Sequence, residues 1–173
     1  LLHSDLLMST TRSLSKGDRA PRFTLYTDEA QSWALSDHLD QPVVLLLFPG
    51  AFTSVCTTEL NAVNNDLGSF EPAHVVGIST DAPAVLSEFR STQQFEFPLL
   101  SDHDATVCAE YGAKYDQNFT AMGLDRIAKR AAFVVDPAGT IQYAEVLDDA
   151  GQQPDFDALK ETVQQLKGDR HEH

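Results

Sequence analysis

The chain has 173 residues, with 26 Asp and Glu against 12 Lys and Arg and a formal net charge of -14. Such a length suits one globular domain with a sizeable core. The acidic excess repels phosphate backbones and anionic membranes at long range, so nucleic acid and lipid are excluded as expected partners. Usage of Gly (9) and Pro (8) is ordinary, and no apolar run approaches the roughly 18 residues of a membrane span, which excludes a fibre, a disordered tail and a helical membrane protein.

Residues 1–7 precede Met8 and are kept out of the fold reading, and residues 1–16 are expected to form a flexible segment. Phe23 to Tyr26, the polar turn from Thr27 to Ala30, and Ser32 to Leu35 predict a small N-terminal hairpin. Val43 to Phe48 is an unbroken aliphatic and β-branched run stopped by Pro49-Gly50, which predicts a central strand buried on both faces. Thr53 or Ser54 then caps a helix to about Leu67, with Leu60, Val63 and Leu67 on its apolar face. His74 to Ser79 is a second buried strand, and Pro83 to about Gln93 a helix with proline in its first turn.

Phe97 to Leu100 predicts a short strand, Asp104 to Tyr111 a brief helix stopped by Gly112, and Lys114 to Lys129 a connection without firm period. Ala131 to Val135, the turn Asp136-Pro137-Ala138-Gly139, and Thr140 to Val146 read as a hairpin. Pro154 to Leu166 closes the domain as a helix, with a flexible tail expected over 168–173. Strands alternating with helices between two hairpins imply one α/β domain over 17–167, a three-layer sandwich around a mixed sheet.

The chemistry concentrates around Cys56. It stands in the first turn of the predicted helix, just past a strand's carboxyl end, where ligand crevices of open α/β sheets lie. A helix start offers unpaired N–H groups and partial positive charge, and both favour thiolate over thiol. Thr53, three residues earlier, can turn its hydroxyl toward the sulfur, and Pro49, with no N–H, shapes a tight approach that excludes water. Arg130 opens the Ala131 to Val135 strand, where a guanidinium can reach both thiolate and substrate. Glu59, about one turn past the cysteine, is the candidate carboxylate to hold that arginine.

Pro49-x-x-x-Thr53-x-x-Cys56 resembles the active-site motif of the peroxiredoxins, thiol peroxidases built on a thioredoxin-like fold. Gly17-Asp18-x-Ala20-Pro21-x-Phe23-x-Leu25 resembles the family's opening segment, Phe97-Pro98-Leu99-Leu100-Ser101-Asp102 its mid-chain segment, and Arg130 to Asp136 its arginine-bearing strand. The resemblance runs from about Gly17 to Leu166 and is nearest to the alkyl hydroperoxide reductase E and bacterioferritin comigratory protein branch. It implies that Cys56 attacks hydrogen peroxide or a small organic hydroperoxide and becomes a sulfenic acid, with Thr53 and Arg130 holding the peroxide oxygens. It implies no metal and no cofactor, return of the thiol by a thioredoxin-like or low-molecular-weight thiol, and a monomer or homodimer.

The resolving step stays open in the sequence. Some members carry a second cysteine five residues on, where this chain has Asn61, or in the following helix, where it has none. Cys108, the other of two cysteines, is either a small core residue or the resolving thiol. Two cysteines without a visible signal peptide lead to an expected cytoplasmic setting. The histidines lack metal-ligand spacing, and the absence of Cys-x-x-Cys argues against dithiol oxidoreductase chemistry. The rival function is a thioredoxin-fold binding or chaperone-like protein without turnover.

Overall fold

Period-two alternation inside two fully buried strands decides which side chains meet. The computed structural model describes residues 13–116 and 121–171, with side chains described to Lys167. Among the described residues are strands β1 (Thr24–Thr27), β2 (Ser32–Ala34), β3 (Val43–Leu47), β4 (His74–Ser79), β5 (Leu99–Ser101), β6 (Arg130–Val135) and β7 (Ile141–Leu147). The helices are α1 (Ser54–Asn65), α2 (Pro83–Gln93), α3 (Thr106–Glu110) and α4 (Phe156–His171). The strands form one sheet in the order β2-β1-β5-β4-β3-β6-β7. Its centre, β5-β4-β3, is parallel, and both flanks are antiparallel hairpins, so the sheet is mixed as predicted.

Every residue of β3 and β6 is buried, and alternate side chains go to opposite faces. Val44, Leu46, Ala132 and Val134 face a core covered by α1, α2 and α4. Val43, Leu45, Leu47, Phe133 and Val135 face a second core closed by α3 and the N-terminal hairpin. There Phe23 stacks on Trp33 and meets Tyr111 edge-on, while the Tyr111 hydroxyl donates to the Pro21 carbonyl at 2.6 Å. These layers make the expected three-layer sandwich, with three of the four helices on one side. Gly77 admits a close crossing: a Cβ there would stand 2.7 Å from Leu99 Cδ2 and 3.2 Å from the Phe48 ring.

Several boundaries differ from the sequence prediction for local reasons. The strand expected over Phe97 to Leu100 is Leu99–Ser101, because Pro98 has no N–H for the ladder and serves only as acceptor to Gly77 N–H at 3.1 Å. The helix expected from Asp104 starts at Thr106: Ala105 is left-handed at φ 64°, and the Asp102 carboxylate takes the N–H groups of Val107 and Cys108 at 3.0 and 2.7 Å. Helix α1 stops at Asn65, and Leu67–Phe70 forms a 3₁₀ turn in which Ser69 Oγ donates to Asp66 Oδ1 at 2.7 Å. Helix α4 continues to His171, past the expected end near Leu166 and into the segment expected as a tail. Of the expected flexible start, residues 1–12 lie outside the described residues, while Leu14 packs against the core and Ser15 N–H donates to Asp18 at 2.9 Å.

Candidate active site

The buried stripe of α1 is Cys56, Glu59, Leu60 and Val63, the i, i+3, i+4, i+7 spacing of one helix face, with Glu59 set among apolar neighbours. β6 alternates so that Arg130 points to the same side as Ala132 and Val134, the α1 side. The stripe and the strand therefore bring Cys56, Glu59 and Arg130 together without any loop adjusting to do so.

Arg130 and Glu59 are 1% and 0% exposed, and Arg130 Nη1 meets Glu59 Oε1 at 2.5 Å. Arg130 Nη2 donates to the Ala150 carbonyl at 3.0 Å. Arg130 Nε and Glu59 Oε2 are buried and have no hydrogen-bond partner among the described residues. Burial pushes the Glu59 carboxyl up to about 7, against the charge and hydrogen bond of Arg130, which pull it down. Burial works against the Arg130 charge, but the neighbouring Glu59 and the Cys56 sulfur outweigh it and hold the guanidinium above its ordinary value. The sulfur thus shares the guanidinium with a carboxylate whose own charge is costly to keep.

Cys56 is 1% exposed and lines a cavity of about 420 Å³. Pro49, Thr53, Val55 and Ile127 also line it, with Ala150 and Gly151, and Arg130 is the charged side chain of a lining that is otherwise uncharged. Thr53 occupies the N-cap position at φ -81°, ψ 150°, yet its side chain makes no capping bond. The hydroxyl instead donates to the Gly50 carbonyl at 2.8 Å, which corrects the capping role expected from sequence and leaves its lone pairs as the free hydrogen-bonding capacity.

Cys108 belongs to the opposite core. It is fully buried in the layer between α3 and the sheet, its Sγ–H donating to the Ala105 carbonyl at 3.3 Å. Burial, with the nearby Asp102 carboxylate, pushes its thiol well up. The sheet separates the two sulfurs, both of which are free thiols. This placement favours the core reading of Cys108 over the resolving one: the side chain follows its packing face, which the spacing of cysteines along the chain does not reveal.

Three elements of the site escaped the sequence reading. Ile127, which lines the cleft, and Tyr115, which interacts electrostatically with Arg130 and Cys56, lie in the stretch without period, and Ala150 acts through its backbone carbonyl, for which no side-chain signal exists. Tyr115 and Lys129 secure the segment after β7: the Tyr115 hydroxyl donates to the Asp148 carbonyl at 3.4 Å, and Lys129 Nζ pairs with the Asp148 carboxylate at 2.8 Å.

Residues 16–144 match the model of the AhpC/TSA family. Peroxiredoxin Bcp of Escherichia coli (strain K12) is 34% identical over 138 residues, spanning 79% of this chain and 86% of that protein. The crystal structure of peroxidoxin BcpB from Mycobacterium tuberculosis superposes with a TM-score of 0.78 at 29% identity, covering 88% of this chain and 97% of that one. A cysteine-to-serine mutant of Xylella fastidiosa PrxQ gives a TM-score of 0.76 at 26% identity, covering 92% and 99%.

Proposed function

Since the chain belongs to the AhpC/TSA family and is a thiol peroxidase of the peroxiredoxin type, we propose that Cys56 is its peroxide-reacting residue and that turnover passes through a cysteine sulfenic acid. The observation that carries this reading is Cys56 at the first turn of α1, lining one cleft together with Thr53 and Arg130. The Cys56 thiolate attacks the terminal oxygen of ROOH, the O–O bond breaks, and the leaving RO⁻ takes a proton to become ROH; the sulfur is left as Cys56–S–OH. Arg130 stabilises the charge moving onto the leaving oxygen. Its position is held by Glu59 on one nitrogen and Ala150 on the other. Thr53, whose proton is committed to Gly50, accepts from the peroxide hydroxyl and orients it. Pro49 lines the cleft and adds no N–H donor that would hold water there.

The apolar wall of Val55, Ile127 and Pro49 suits small organic hydroperoxides as well as hydrogen peroxide. One external thiol condenses with the sulfenic acid, releasing water and leaving a mixed disulfide; a second thiol displaces Cys56 and carries away the disulfide. The burial of Cys108 behind the sheet supports this external route, with a thioredoxin-like or small thiol as donor in a reducing, cytoplasmic setting.

Peroxide consumption with a thiol reductant, compared between wild type and Cys56→Ser, tests the reading: loss of turnover is expected, and equal rates would remove Cys56 from the reaction. After one equivalent of peroxide, the intact mass should show a trappable sulfenic acid. A loss of two hydrogens in its place would restore Cys108 as partner.

A further inference from the structure

The guanidinium of Arg130 is held at two nitrogens by unlike supports. Nη1 meets Glu59 on the buried face of α1, whereas Nη2 donates to the Ala150 carbonyl, on the segment 148–151 that follows the edge strand β7. A planar fork fixed at both ends presents its remaining donors in one direction; fixed at one end, it can pivot. The orientation of Arg130 therefore depends on what holds residues 148–151. Within them, Gly151 N–H donates to Asp149 Oδ1 at 2.8 Å and Gln152 N–H to the Asp149 carbonyl at 3.1 Å, bonds that shape the turn without tying it to another segment.

Asp148 supplies the tie. Its carbonyl accepts the Tyr115 hydroxyl at 3.4 Å, and its carboxylate pairs with Lys129 Nζ at 2.8 Å, which holds that carboxyl below its ordinary value. Lys129 Nζ also stands 5.9 Å from the centre of the Tyr115 ring. Both residues belong to a short antiparallel ribbon: Tyr115 N–H donates to the Ile127 carbonyl at 2.9 Å, Lys129 N–H to the Ala113 carbonyl at 2.7 Å, and Lys114 bridges to Ala128. The ribbon runs directly into β6, so the consecutive residues 129 and 130 hold Asp148 and Ala150 of one segment. Tyr115 is buried, and burial pushes its phenol above the ordinary value against the pull of the nearby Arg130 charge, so it serves as an O–H donor. Neither Tyr115 nor Lys129 lines the cleft.

We infer that Tyr115 and Lys129 are positioning residues for the peroxide reaction, acting through Asp148 and the Ala150 carbonyl to fix the plane of the Arg130 guanidinium. The inference deepens the peroxidase reading and rests on it for the role of Arg130. A misplacement of about 1 Å at a reacting centre can cost up to 10²-fold in rate, so ties that are individually weak show in the kinetics before they show in stability.

The test is a double-mutant cycle on the second-order rate constant for hydrogen peroxide, measured by stopped-flow competition with the reduced full-length protein. Tyr115→Phe and Lys129→Met each remove one tie and should slow the reaction about threefold, and the two together about tenfold. In an Arg130→Lys background, where one nitrogen replaces the two that serve Glu59 and Ala150, the same pair should change the rate by less than about twofold. Lys129→Arg retains a cation for Asp148 and the Tyr115 ring and should keep a near wild-type rate. Equal slowing in the two backgrounds, which is what a merely structural support would give, overturns the inference. So does an unchanged rate in the double variant, or a Lys129→Arg protein that behaves as Lys129→Met. If the double variant does not fold, Lys129→Met alone, at a side chain 25% exposed, carries the same cycle. An Arg130→Lys protein that keeps the wild-type rate sinks the peroxidase role of Arg130 and the inference with it, whereas equal slowing beside a slow Arg130→Lys sinks the inference alone.

Discussion

Replacing Glu59 by glutamine should make the protein more stable at neutral pH and a poorer peroxidase. The carboxyl of Glu59 is 0% exposed, and its burial outweighs the attraction of Arg130, raising it from an ordinary 4.5 to about 7. The folded protein therefore holds this proton more tightly than the unfolded chain does, and the contribution of Glu59 to wild-type stability falls as pH rises from about 4.5 to about 7, then levels off. That interval corresponds to about 3 kcal/mol. The amide side chain of Glu59→Gln has the same shape, keeps an acceptor for Arg130 Nη1 and has no proton to lose. The two proteins should match near pH 4.5, and the variant should gain about 3 kcal/mol over wild type by pH 8. Urea unfolding across that range, with equal denaturant slopes, measures the difference. In the same variant the guanidinium loses its anionic anchor, and peroxide reduction at pH 8 should fall about tenfold. A stability difference that does not change with pH, or a wild type that is the more stable protein at pH 8, would refute the view that this carboxylate is kept at a cost for the sake of Arg130.

Arg130→Lys should lower kcat/KM for peroxide by roughly 10²–10³-fold, because an ammonium cannot serve Glu59, Ala150 and a peroxide oxygen together; stopped-flow competition for hydrogen peroxide reads this, and a loss below threefold would remove Arg130 from the reacting geometry. Gly77→Ala should cost about 1–3 kcal/mol by driving a methyl group into Leu99 and Phe48 beneath the active-site turn, and an unchanged unfolding midpoint would mean that the crossing has slack. Cys108→Ala should keep peroxide turnover and lose about 1 kcal/mol of stability as a small core truncation; turnover that stops would show that the second thiol takes part in the cycle.

The buried strands were visible as runs of β-branched and aliphatic residues, and the Cys56 helix as a stripe at helical spacing. Glu59 and Arg130 were legible only beside the Cys56 motif: Glu59 stands about one turn past the cysteine, and Arg130 opens the strand that resembles the family's arginine-bearing one. Taken alone, the first reads as a solvated helix residue and the second as a surface ion-pair member, because their partnership depends on which faces of α1 and β6 meet. Boundaries failed where a polar side chain took backbone groups, as Asp102 does at the start of α3, and where the backbone tightened into i, i+3 bonds, as Ser69 N–H to the Asp66 carbonyl does past the end of α1.

From the sequence alone came the family, the α/β class, the cysteine proposed to react and the pair expected to surround it, since each depends on a local period or a short motif. Tertiary structure alone decided that Cys108 faces the far core, that the Thr53 hydroxyl spends its proton on Gly50, and that Ala150 meets Arg130 and Tyr115 meets Asp148 from segments distant in the chain. Those outcomes turn on which face a short helix presents and on backbone carbonyls and amides brought together by chain crossings. Every residue carries such groups alike, so no pattern of side chains marks the ones that will meet.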